Sequence, residues 1–103
     1  MMKDNLLKII NNYGVMHQLK YFQSEVFELN EAIIKYEDDC YYTYDIIALD
    51  EGRKHIAEEI ADVLVMLKQF QAYYKINRED IRKIMNEKVD RQLGRMKNEN
   101  IEQ

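Results

Sequence analysis

No proline interrupts this chain of 103 residues, and glycine stands only at Gly14, Gly52 and Gly94. Proline and glycine break helices and make tight turns. A chain nearly without them is pushed toward long helices and away from a turn-rich β architecture. Apolar residues recur every three or four positions in two stretches: Leu19, Phe22, Val26, Leu29 and Ile33, then Ile56, Ile60, Val63, Leu67 and Phe70. That spacing draws one face of an α-helix. The pattern predicts a short helix over 3–10, a break over 11–14 and a long helix over 15–36. A polar and aromatic connection follows over 37–50, then a second long helix over 51–74. Asn77 can cap the last helix, with Asp80 three residues on, as in a capping-box variant. This helix is expected to reach about Met96, and the tail after Lys97 to fray. The expected fold is therefore all-α, a small antiparallel bundle of about four helices in one domain over 1–103. Two long helices pair, and the C-terminal helix packs across them.

Within that frame two acidic pairs stand out, Glu25 with Glu28 and Glu59 with Asp62. Residues three apart on a helix are neighbours, so the two acids of each pair share a face. If the long helices are antiparallel, the pairs face each other across the interface. Asp62 is the only charge in the run Ile60-Ala61-Asp62-Val63-Leu64-Val65-Met66-Leu67. A helix apolar nearly all round is expected to be buried, and a buried aspartate needs a cation, a hydrogen-bond network or a metal. Four carboxylates in one place repel, and no basic residue in the same turns offsets them. Hard divalent ions would, and Mg²⁺ or Mn²⁺ suits carboxylate oxygens better than zinc does. The competing reading is a solvated acidic helix face, since Glu31, Glu37 and Glu58 show that glutamates are common here.

Lys88, Arg91 and Arg95 form a cationic stripe on the last helix, spaced for one face. They suit a phosphate-rich ligand, or else exposed ion pairs with Glu87 and Asp90. His17 and His55 are the only histidines; each reads first as a structural residue, although His55 lies four before Glu59. Tyr36, Tyr41, Tyr42 and Tyr44 cluster in the central connection, for packing a subunit contact or stacking on a base. No glycine-rich phosphate loop is present.

Charge and composition exclude several classes. The formal net charge is −4, with signs mixed along the chain, which argues against duplex nucleic acid as a partner. Cys40 is the only cysteine. It rules out a disulfide framework within the chain, and a reducing cytoplasm is the expected compartment. No run is long enough to span a bilayer, and no signal-peptide core is expected near the start. The chain is 47% hydrophobic with eight tyrosines, rich for its length, so burial in an oligomer is expected.

Glu25-Val-Phe-Glu28-Leu29 followed by Glu58-Glu59-Ile60-Ala61-Asp62-Val63-Leu64 resembles the paired ExxE and ExxD motifs of MazG-like nucleoside triphosphate pyrophosphohydrolases, in the all-α NTP pyrophosphatase superfamily. The resemblance covers 16–96. Gln18 falls where such proteins often carry a glutamine. Lys88 to Arg95 keeps the family's lysine and arginine, with Gln92 or Asp90 in place of its asparagine, and Ser24 replaces a frequent glutamate. The resemblance implies Mg²⁺-dependent hydrolysis of an NTP or dNTP to the monophosphate and pyrophosphate. Glu25, Glu28, Glu59 and Asp62 would hold the metal, and a glutamate of the first pair would orient or deprotonate the water. Gln18, Lys88, Arg91 and Arg95 would contact substrate. A homodimer or homotetramer is implied too. The rivals are a non-catalytic helical oligomerisation or adaptor module, and a member that binds nucleotide without turnover.

Overall fold

The computed structural model describes residues 1–42 and 44–102. Among them are four helices and no strand: α1 (Met2–Tyr13), α2 (Val15–Tyr42), α3 (Ile46–Tyr73) and α4 (Arg78–Glu102). The chain divides into two compact units, Met1–Tyr73 and Tyr74–Gln103.

In the first unit, α1 stops at Gly14, whose φ of 91° is a conformation that glycine adopts without strain. The Gly14 N–H donates to the Ile10 carbonyl at 2.8 Å, and its own carbonyl accepts from Gln18 N at 3.0 Å. One helix thus passes directly into the next. α2 and α3 are each 28 residues long, roughly 42 Å.

Both long helices extend past their expected ends. The connection predicted over 37–50 is mostly helix, because α2 runs on to Tyr42 and α3 begins at Ile46. Two local devices explain this. Lys35 pairs with Asp39 at 2.8 Å across one turn of α2. Asp45 caps α3, its Oδ1 accepting from Ile47 N at 3.0 Å and Ala48 N at 3.3 Å. Tyr41, Tyr42 and Tyr44 are almost fully exposed.

α2 and α3 are antiparallel. Gln18 bonds to Gln69, Glu25 lies beside Glu59 and Asp62, and Tyr36 lies on Gly52. Positions rise on one helix as they fall on the other. The Tyr36 ring needs the missing side chain, because a Cβ on Gly52 would come within 2.9 Å of Tyr36 Cδ2. Phe22 and Phe70 cross edge to face at 5.8 Å, a favourable aromatic geometry. Leu6 and Ile10 of α1 and Met66 and Ala72 of α3 are buried, with Ala32 of α2.

The apolar run on α3 is not enclosed as expected. Ile60, Leu64, Val65 and Leu67 are each more than 40% exposed. α1 and α2 cover one side of α3, and its apolar residues extend beyond that side.

In the second unit, Asn77 caps α4 as predicted, its Oδ1 accepting from Glu79 N at 2.7 Å. The helix continues past Met96 to Glu102. Lys97 to Asn100 are helix formers or tolerated residues without proline or glycine, so nothing local stops it. Ile84, Met85, Val89 and Leu93 are exposed along it.

Candidate functional site

Three carboxylates converge where α2 crosses the middle of α3. Glu25, Glu59 and Asp62 each offer an oxygen, and these atoms lie within 4.8 Å of one another. Glu25 is 5% exposed and Glu59 is 9% exposed. One oxygen of each, Glu25 Oε2 and Glu59 Oε2, is buried without a hydrogen-bond partner. A buried carboxylate oxygen left unpaired is costly, and two of them side by side repel as well.

Tyr21 stands one turn before Glu25, and hydrogen bonding to the Glu25 carboxylate together with its negative charge raises the Tyr21 pKa above its ordinary value. His55 Nε2 stands 3.9 Å from Glu59 Oε1. The Glu59 pKa is raised, first by burial and then by the charges of Glu28, Asp62 and Glu25, with His55 opposing. The arrangement leaves one unpartnered buried oxygen on each of Glu25 and Glu59 and a third acid at the solvent edge.

That acid is Asp62, and here the expectation was reversed. Asp62 is exposed, whereas Glu25 and Glu59 are the buried charges. The reason is the side of α3 that packs: Glu59, Met66 and Gln69 point inward, one to two turns apart. Glu28 is exposed and lies outside the trio, although its charge is felt at Glu59 and Tyr21. Lys88, Arg91 and Arg95 lie exposed on α4 in the second unit.

A cavity of about 410 Å³ opens beside the carboxylates. Glu25 and Asp62 line it together with Tyr13, His17, Gln18 and Tyr21 of α1 and α2, and Met66 and Gln69 of α3. Gln18 lines this cavity and is 4% exposed. His17 Nδ1 donates to Gln18 Oε1 at 2.8 Å, Gln18 Nε2 to Gln69 Oε1 at 2.8 Å, and Gln69 Nε2 to Met66 Sδ at 3.6 Å. Tyr13 stacks on His17 at 5.1 Å with the rings 17° apart. Tyr21 and Gln69 were not singled out from sequence. Their spacing was the available signal, Tyr21 four before Glu25 and Gln69 seven after Asp62.

The trio suits a hard divalent cation. Its donors are all oxygens, and an ion there would offset the charge of Glu25 and Glu59, each of which has a buried oxygen without a hydrogen-bond partner. The chain matches no family profile, no curated protein and no solved structure.

Proposed function

We propose that the chain is a Mg²⁺-dependent nucleotide pyrophosphohydrolase of the MazG-like kind, cleaving an NTP or dNTP to the monophosphate and pyrophosphate. The observation that supports it most is the pair of orphaned oxygens, Glu25 Oε2 and Glu59 Oε2, beside Asp62 and a cavity of nucleotide-accepting size. The motif resemblance supplies the reaction.

Glu25, Glu59 and Asp62 would hold Mg²⁺, or Mn²⁺ in its place. Such an ion, when bound, supplies positive charge to phosphate oxygens and lowers the pKa of a water that can attack the α-phosphorus. The chain's own residues do the rest. Tyr21, one turn before Glu25 and coupled to its charge, would make an outer contact of the sort that orients metal ligands. Glu28, exposed and outside the trio, keeps its carboxylate for orienting or deprotonating the water. Glu25 and Glu59 are buried, so water would screen their attraction for a bound cation less than at the surface.

A panel of NTPs and dNTPs, assayed for pyrophosphate with and without Mg²⁺, tests the reading. At least one substrate is expected to turn over only with the metal. Asp62→Asn is expected to lower that turnover by at least about 100-fold. Asp62 is exposed, so helicity by circular dichroism should stay unchanged. Full activity in this variant would sink the assignment. An absence of any thermal shift with Mg²⁺ and a non-hydrolysable nucleotide would favour the adaptor reading instead.

A further inference from the structure

The two buried amides, Gln18 and Gln69, have a direction. The end groups of a glutamine are alike in shape, so a neighbour must decide which is oxygen and which nitrogen. Met66 decides here. A thioether sulfur accepts a hydrogen and has none to give, so at 3.6 Å from Met66 Sδ the Gln69 nitrogen gains a bond that its oxygen would not. The Gln69 oxygen then faces Gln18, which must offer its nitrogen, at 2.8 Å. The Gln18 oxygen in turn faces His17, whose Nδ1 carries the hydrogen. One sulfur atom thus sets the polarity of three side chains.

This polarity has a chemical consequence in the cavity. Both amide oxygens already accept a bond, while each amide nitrogen has a second hydrogen unused. Gln18 is 4% exposed and Gln69 2% exposed, and both line the cavity. A ligand that seals the cavity must offer acceptors to these hydrogens, or leave buried donors unmet.

Position identifies which part of a nucleotide this is. Gln18 lies seven residues before Glu25 on α2, and Gln69 seven after Asp62 on α3. Two helical turns, about 10.5 Å along the axis, separate the amides from the carboxylates on both helices. A sugar fits between. Near the amides, the Tyr13–His17 stack and the Tyr21 ring give the cavity flat aromatic walls, suited to a planar heterocycle.

We propose that the Gln18–Gln69 pair, oriented by Met66, reads the base of the nucleotide and selects a ring carbonyl over an exocyclic amino group. The inference rests on the pyrophosphohydrolase reading above. Gln69 and Met66 are then specificity-determining residues. Gln69 touches the base, and Met66 acts through Gln69.

The test compares kcat/KM for UTP with CTP, and for dUTP with dCTP, at one Mg²⁺ concentration. The keto base is expected to be favoured by about tenfold or more, the cost of an unmet buried donor. Gln69→Leu is expected to lower the rate for the keto substrates and bring the ratio toward one. Met66→Leu keeps the volume, removes the sulfur acceptor and narrows the ratio as well; it carries the test if Gln69→Leu does not fold. Mg²⁺-dependent hydrolysis with an equal or inverted preference overturns the base reading alone and leaves the pyrophosphohydrolase standing. A ratio unmoved by both variants overturns it too. Failure of every nucleotide to be hydrolysed or to shift the melting temperature overturns both proposals.

Discussion

At Glu59, burial and three neighbouring acids push in one direction. Burial disfavours the charged form first, Glu28, Asp62 and Glu25 add to it, and His55 offsets part. A carboxyl whose pKa is raised on folding holds its proton longer in the folded chain than in the unfolded one. Its contribution is complete below the ordinary value of 4.5 and is lost as pH rises through the folded value. The metal-free chain is therefore expected to lose stability as pH climbs above that ordinary value. Melting curves in a chelator check it. Glu59→Gln should flatten this part of the profile and raise the melting temperature of the metal-free chain at neutral pH, while losing the stabilisation given by Mg²⁺. Identical profiles for the two proteins would refute the account. The acids themselves were legible in sequence because acid-x-x-acid places two carboxylates on one face. Their burial was not. α3 is apolar around much of its circumference, so only its contacts with α1 and α2 decide that Glu59 faces in and Asp62 faces out. Gln69 and Met66 were hidden for a plainer reason: an uncharged residue on a helix carries no mark until its partner is known.

At the scale of elements, existence and type were readable and ends were not. The three-and-four periodicity located the two long helices, and Asn77 marked the start of α4. The region over 37–50 misled because its tyrosines and acids have no apolar period. Helix there is maintained by short-range side-chain bonds, Lys35 with Asp39 and Asp50 with Arg53 and Lys54, together with the Asp45 cap. Two glycines inside helices give opposite expectations. Gly52→Ala gains about 1 kcal/mol of helix propensity but drives a Cβ into the Tyr36 ring, at about 1–3 kcal/mol for overpacking. A net loss of stability is expected in urea titration. Gly94 has open space where a Cβ would go, so Gly94→Ala should increase helicity, worth up to about 1 kcal/mol. A stabilised Gly52→Ala would show that the Tyr36 contact is readily given up.

For the whole molecule, exposed apolar surface is the dominant fact. Phe27, Ile34, Leu64 and Leu67 of the first unit stand 46–62% exposed, and α4 carries its own exposed apolar residues. Surfaces of this kind mark contacts with other chains. The chain is expected to sediment as a dimer or tetramer, with a melting temperature that rises with protein concentration. A monomer at micromolar concentration would contradict this. The antiparallel pairing of α2 and α3 has a last consequence, for how such a chain tolerates change in length. Gln18 and Glu25, and likewise Asp62 and Gln69, are separated by seven residues and share a face. Each added residue turns a helix by about 100°. One insertion between Gln18 and Glu25 would therefore put amide and carboxylate out of phase and split the cavity. Insertions between Tyr42 and Ile46 would leave that phase untouched. Variation in length is thus confined to one end of the helical pair, and the stretch from amides to acids is a fixed ruler.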